Sequence, residues 1–247
     1  MSQRPPLHVT LLAPVWDWVA PPRCAGCEEP LAHPRALARA QDVFCEQCAV
    51  TLEPLSGARC PVCSAPGWQG CCLRCQQEPP PFERVRAGYL WGGEVARALR
   101  RCKYGPRLDL ASALGGLLAP LLHRVAARAQ VVVPVPLSAG GMRRRGFNQV
   151  QELIRGARRA GASLPPVRSA ALAKTQDRLA QASLAPSARR RLPASAFTVR
   201  RPAQIRGRAV LLVDDVMTTG ATMRACAATL VRAGAARVEG VVLARAG

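Results

Sequence analysis

The chain has 247 residues, of which 49% are hydrophobic, and its 35 lysines and arginines outweigh 15 aspartates and glutamates to give a formal net charge of +20. A length of this order accommodates one large domain or two modest ones, and a charge this large attracts polyanions, so nucleic acid and phosphorylated metabolites are the natural partners. Aromatic residues make up only 4%, which excludes a strong base-stacking groove and leaves any nucleic-acid binding mainly electrostatic.

Residues 1 to about 20 read as an apolar lead-in, a short helix in which Trp16 and Trp18 pack on the cysteine-rich segment after it. They make a poor export signal, being short and interrupted by Pro14 and Asp17, and no apolar run approaches a membrane span. The site of action is therefore expected to be the cytoplasm. Nine of the 11 cysteines then lie between Cys24 and Cys75, eight of them spaced as four CxxC pairs, Cys24/Cys27, Cys45/Cys48, Cys60/Cys63 and Cys72/Cys75, with Cys71 as the ninth. Eight thiolates suffice for two tetrahedral zinc sites. Pairing in sequence order makes two zinc ribbons, interleaved pairing remains open, and Cys71 is a spare neighbour that can exchange with Cys72. A secreted disulfide framework and redox-active CxxC pairs are the rival accounts of so many cysteines. The segment has little hydrophobic periodicity, so its folding free energy comes mostly from metal.

The proline-rich stretch Gln76 to Phe82 is stiff and extended, and the domain boundary belongs there, dividing residues 1–78 from residues 83–247. Val85, Ala87, Tyr89 and Trp91 alternate as a strand, and Glu94 to Tyr104 forms a helix ended by Gly105-Pro106. Leu108 to Ala129 is a second helix, and Gln130 to Leu137 is a buried strand that runs into a proline-defined loop. Asn148 to Ala160 returns to helix, with Asn148 equally suited to capping it or to touching a ligand. Phe197 to Arg200 is a short strand, Val210 to Val213 a buried one, Met223 to Ala233 a helix stopped by Gly234, and Val238 to Ala244 the last strand. This alternation predicts an α/β fold, a parallel sheet with helices on both faces. His8, His33 and His123 stand apart from every motif and read as surface or packing residues.

The stretch from Ala209 to Met223 carries the chemistry. Its apolar run reads as a strand buried on both faces, which puts Asp214 and Asp215 at the carboxyl end, where ligands bind in open α/β sheets. Thr218, Thr219, Gly220, Ala221 and Thr222 come next, with hydroxyls, a flexible backbone and the first turn of a helix, whose N–H groups suit a phosphate. Carboxylates beside an anion site make sense for a ligand with both hydroxyls and a phosphate, such as a ribose 5-phosphate.

"VLLVDDVMTTGAT" resembles the phosphoribosyl pyrophosphate signature of type I phosphoribosyltransferases. The resemblance implies that Asp214 and Asp215 are the catalytic acids that bind the ribose hydroxyls, while Thr218, Thr219, Gly220, Ala221 and Thr222 bind the 5-phosphate. It also implies magnesium, and a pyrophosphate site at Val135 and Pro136, whose turn aims backbone amides at it, with Arg143, Arg144 and Arg145 as cationic donors. The four CxxC pairs, "PPPF", "KYGPR", "VPVPL", "RRRGFNQ" and "VDDVMTTGAT", in this order, resemble the ComF family of bacterial competence-associated proteins over about residues 20 to 245. The family joins a double zinc ribbon to a type I phosphoribosyltransferase-like domain. The likeness extends to a mobile loop, Lys174 to Leu192, with Thr175, Gln181, Leu184 and Arg189 in register and a departure at Leu192. It marks Gly146, Phe147, Asn148 and Gln149 as a functional loop.

By this resemblance the protein acts in DNA uptake and natural transformation, holding phosphoribosyl pyrophosphate with magnesium and two structural zinc ions, with single-stranded DNA and competence-machinery proteins as partners. The alternative is an active phosphoribosyltransferase with an unknown acceptor outside competence. A zinc-domain nucleic-acid reader beside a relic domain is a third reading, which the intact acidic pair and phosphate loop speak against.

Overall fold

Alternation along the central strands sorts their side chains between two cores. Val210 and Leu212 pack with Val85, Val131, Val133, Val238 and Val242 on one face, whereas Leu211 and Val213 pack with Val132, Val241 and Leu243 on the other. The period of two in a strand requires this division, and near-continuous apolar runs are what a sheet covered on both faces demands. The computed structural model describes residues 23–31, 43–105, 108–175, 192 and 194–247. The expected lead-in helix, His8, His33, and Gln181, Leu184 and Arg189 of the expected mobile loop lie outside these residues.

In chain order the elements are α1 (Glu46–Ala49), α2 (Leu73–Gln77), β1 (Arg84–Leu90), α3 (Gly93–Tyr104), α4 (Leu108–Ala126), β2 (Val131–Pro134), α5 (Ala139–Arg145), α6 (Gln149–Arg159), β3 (Leu172–Lys174), β4 (Phe197–Val199), β5 (Ala209–Met217), α7 (Ala221–Arg232) and β6 (Arg237–Arg245). Four strands form a parallel sheet in the order β1-β6-β5-β2, and β3 pairs antiparallel with β4 in a separate ribbon. Helices α3, α4 and α6 supply Leu99, Leu114, Leu118, Leu122 and Leu153 to one core, while α7 supplies Met223, Cys226 and Leu230 to the other. The fold is the α/β class expected, with helices on both faces.

The cysteine segment straddles the sheet edge. Cys24, Val43, Phe44 and Cys48 join the core under α3 and α4, whereas Cys60, Cys63, Cys72, Cys75 and Phe82 join the core under α7. Between them the chain crosses the outer edge of β1, where Leu55 N–H donates to Gly88 and Leu90 N–H donates to Glu53, covering backbone groups that an open edge would expose.

Helix α4 meets α6 at a backbone-to-backbone contact. A Cβ on Gly156 would lie 1.8 Å from the Ser112 carbonyl oxygen, and one on Gly115 would lie 2.2 Å from that of Leu153. Backbone cannot yield as a side chain does, so Gly156→Ala is expected to cost about 3 kcal/mol or more; chemical denaturation reads this directly, and an unchanged midpoint would contradict the contact. The expectation that no apolar run approaches a membrane span needs correction on length: α4 has 19 residues and a mean hydropathy of 1.2, enough to cross by length and composition. It is packed on α6 and the sheet, with 61% of its 18-residue apolar stretch buried.

Helices α1 and α2 and strand β3 were not expected, and two elements near the acidic pair differ from expectation. β5 continues four residues past Val213, because β6 is equally long and pairs with it through Asp214↔Val242, Val216↔Ala244 and Met217↔Arg245. The acidic pair therefore sits inside the ladder, just short of the strand end. The stretch expected as a loop after Leu137 contains α5, whose N-terminus is capped by Ser138 Oγ accepting from Gly141 N–H at 3.1 Å and which ends at Gly146 in the left-handed region (φ +74°).

Candidate functional site

Asp214 and Asp215 are 9% and 4% exposed, close to the carboxyl end of β5. Asp214 Oδ1 accepts the Asp215 N–H at 2.9 Å. Burial, and then the neighbouring Asp215 carboxylate, push the Asp214 carboxyl from its ordinary 3.8 up to about 8. A pair of acids forced together out of water favours partners that bring hydrogen-bond donors or positive charge.

The chain turns after Met217 through Thr218, Thr219 and Gly220 into α7. Asp214 and residues 216–223 enclose a hollow of about 40 Å³, so the structure brings together every residue expected to hold the ribose and its phosphate except Asp215, whose carboxylate meets α3 and α6 instead. Gly220 is required by its φ of +76°, in the left-handed region that side chains rarely adopt. Thr218 and Thr219 are exposed, Thr222 half-buried. The first-turn amides of the 12-residue α7 and its dipole suit an anion, with the Ala221 N–H donating to Thr219 Oγ1 at 3.4 Å in the free protein. Gly220→Val is expected to weaken a phosphorylated ligand at least tenfold at unchanged metal content; wild-type affinity by calorimetry would remove the loop from the site.

Asp215 has partners that sequence reasoning missed. Lys103 Nζ, from the last turn of α3, lies 2.9 Å from Asp215 Oδ2, and Gln149 Nε2 of α6 donates to the same oxygen at 3.2 Å. Arg145 Nη1 donates to Gln149 Oε1 at 2.8 Å. Two helices, α3 and α6, thus converge on one carboxylate, and α5 braces the second through Arg145. The signal available was a lysine in an arginine-rich chain, inside "KYGPR", with Gln149 in "RRRGFNQ".

The expected pyrophosphate residues fare unevenly. Pro136 has no N–H, and the Val135 N–H donates to the Val213 carbonyl at 2.8 Å, so neither amide is available and that expectation is corrected: the β2–β5 ladder has consumed the donor. Arg143 and Arg144 are exposed on α5, whereas Arg145 is turned to Gln149. Asn148 is the cap of α6, its Oδ1 accepting from Val150 N–H at 2.9 Å while its Nδ2 donates to the Val135 carbonyl at 3.0 Å.

The eight cysteines form two groups in sequence order, Cys24/Cys27/Cys45/Cys48 and Cys60/Cys63/Cys72/Cys75, with the sulfurs of each group within 4.8 Å of one another. The interleaved pairing is not formed, Cys71 stands outside, and none of the 11 cysteines is in a disulfide. Both groups use the same local pattern: a CxxC turn closed by a short bridge (Arg23↔Pro30, Arg59↔Pro66), then a cysteine capping a one-turn helix that carries the fourth. Cys27 Sγ lies 3.7 Å from Cys45 Sγ, and Cys63 Sγ 3.6 Å from Cys72 Sγ. Four thiolates at about 2.3 Å from a zinc ion stand about 3.8 Å apart, so the donor sets fit that ion. Burial raises the Cys60 thiol, but backbone N–H groups of Cys72, Cys63 and Val62 outweigh it and lower the pKa from 9.0 to about 6. Helix α3 links one group to the acidic pair, since Arg101 Nη1 donates to the carbonyls of Ala25 and Gly26 at 2.8 and 2.6 Å, two residues before Lys103.

A family model described as "phosphoribosyl transferase domain" matches residues 143–247. The chain is 34% identical over 196 residues to the DNA utilization protein YhgH of Escherichia coli strain K12, and 32% identical over 188 residues to that of Salmonella typhimurium, covering 73% of this chain and 81% of each relative. Among solved structures it is similar to the allosteric regulatory enzyme of purine biosynthesis, at 20% identity and a TM-score of 0.36, over 57% of this chain and 29% of that one. A hypoxanthine phosphoribosyltransferase from Staphylococcus aureus matches at 14% identity and a TM-score of 0.33, over 56% of this chain and 64% of its own.

Proposed function

Because this chain belongs to the ComF family, with a phosphoribosyltransferase domain and a third of its aligned residues shared with a DNA utilization protein, we propose that it is a competence-associated protein of DNA uptake and natural transformation that binds phosphoribosyl pyrophosphate. The observation that carries this reading is the buried Asp214, next to Asp215 in the strand, lining one hollow with residues 216–223. Asp214 and Asp215 accept hydrogen bonds from the ribose hydroxyls, and the amides and hydroxyls of Thr218, Thr219, Gly220, Ala221 and Thr222 hold the 5-phosphate. Magnesium, which accompanies this ligand, supplies charge neutralisation for the pyrophosphate. Lys103 holds Asp215 in the free protein and is the cation best placed to turn toward the incoming phosphates. Two zinc ions, one in each group of four cysteines, are structural.

We assign residues 1–78 to the cysteine-rich unit and residues 83–247 to the transferase domain, and place the protein in the cytoplasm, with single-stranded DNA and competence-machinery proteins as partners. A chain with 35 basic residues and few aromatics binds DNA with a steep salt dependence. Deleting the gene in a transformable host is expected to lower transformation at least tenfold, with rescue by the wild-type chain and none by an Asp214→Asn/Asp215→Asn chain. Unimpaired transformation in the deletion strain would remove the competence role and favour a transferase outside it, for which pyrophosphate release is the assay.

A further inference from the structure

The second cysteine group is tied to the phosphate loop by arginines. Arg74 lies between Cys72 and Cys75 on α2, and its guanidinium donates to the Thr219 carbonyl. Arg224, in the first turn of α7, donates to the Glu78 carbonyl at 2.7 Å and has its other terminal nitrogen 3.8 Å from Cys75 Sγ. Arg245, at the end of β6 and only 7% exposed, donates through Nε to the Cys63 carbonyl at 3.2 Å. Its Nη1 donates to the Met217 and Thr218 carbonyls at 3.1 and 2.7 Å.

A buried cation is costly unless every donor is used, and here the donors of one side chain end on a cysteine turn and on the ligand loop at once. Four thiolates around a divalent ion carry a net charge of about −2, which these three cations offset. Loss of the ion, with protons taking its place on the thiolates, removes that charge and frees the turn that holds Arg74 and the Cys63 carbonyl, so the loop carbonyls lose their anchors.

We propose that the metal state of the Cys60/Cys63/Cys72/Cys75 group sets the affinity of the 218–222 loop for a phosphorylated ligand, with Arg74, Arg224 and Arg245 as the positioning residues that transmit it. The proposal rests on the reading of that loop as a phosphate site. Coupling between two sites is reciprocal, so the ligand must also protect the metal.

The test monitors zinc release from the full chain into a chromogenic chelator, with and without saturating phosphoribosyl pyrophosphate and magnesium. In the wild type the ligand is expected to slow release of one zinc equivalent at least fivefold. An Arg74→Gln/Arg224→Gln chain, altered at two half-buried positions, is expected to keep its full zinc content and lose this protection. A wild type that binds the ligand by calorimetry but releases zinc at an unchanged rate would overturn the coupling and leave the phosphate site standing, and protection that persists undiminished in the double variant would overturn Arg74 and Arg224 as the residues that transmit it. A wild type that does not bind would overturn the phosphate site and the coupling with it.

Discussion

An Asp214→Asn chain is expected to bind phosphoribosyl pyrophosphate with magnesium about 100-fold more weakly than wild type and, without ligand, to be the more stable protein. The loss stems from chemistry: a carboxylate accepting from hydroxyls makes charge-assisted bonds, each about twice as strong as neutral ones, and an amide offers one acceptor where the acid offers two. The gain in stability stems from burial. The Asp214 carboxyl titrates at about 8 in the folded chain against an ordinary 3.8, so the folded state binds its proton more tightly. Ionisation therefore erodes stability as pH rises from about 4 through about 8. An asparagine escapes that loss while its Oδ1 can still accept the Asp215 N–H that Asp214 accepts. With each pKa unit equivalent to about 1.4 kcal/mol, and relaxation of the site absorbing part of it, the variant is expected to gain about 2 kcal/mol or more at pH 8 and little at pH 4. In the wild type, ligand affinity is expected to rise between pH 6 and pH 8 as the carboxylate forms. Thermal unfolding and calorimetry at the three pH values read both effects; equal stability of the two chains at pH 8 would mean that the acidic pair is not strained.

Removing metal has the second large effect. Each four-cysteine group is part of a sheet face rather than a separate core: Cys48 packs with Phe44 and Leu99, Cys75 with Phe82 and Val85. Structural zinc contributes about 10–16 kcal/mol to folding in small domains, as much as the whole stability of a typical protein. Chelation, or Cys60→Ser, is therefore expected to lower the melting temperature by more than about 10 °C or to abolish a cooperative transition. Cys71→Ser is the internal control, because Cys71 lies outside both groups: it is expected to leave about two zinc ions per chain and an unchanged melting curve. A chelated chain that melts like the untreated one would remove the metal account.

What could be read from the residues was local. The acidic pair, the threonine-glycine turn and the cysteine pairs are contiguous patterns whose geometry is set by strand and turn rules: Asp214 lies beside the turn, Asp215 faces Lys103 and Gln149 instead, and of the two open cysteine pairings the one in sequence order is formed. What could not be read was long-range. Lys103 reaches Asp215 across 112 positions because α3 and β5 end at the same edge of the sheet, and no periodicity records that. The length of β5 depends on β6, which pairs with it beyond Asp214. The Val135 amide was lost to the Val213 carbonyl for the same reason, a ladder partner 78 residues away. α5 was hidden by its paired glycines, Gly140 and Gly141, which read as loop until Ser138 is seen to cap them. The distribution of the two cysteine groups over opposite sheet faces depends on the crossing at β1, a tertiary choice that spacing does not encode.

The most direct test of the central claim is a calorimetric titration of phosphoribosyl pyrophosphate with magnesium into the wild-type chain and into an Asp214→Asn/Asp215→Asn chain. Saturable binding by the wild type that is lost in the variant is the predicted result. A folded, zinc-loaded wild type that takes up no ligand would contradict it, leaving the acidic pair and its loop as architecture without occupant.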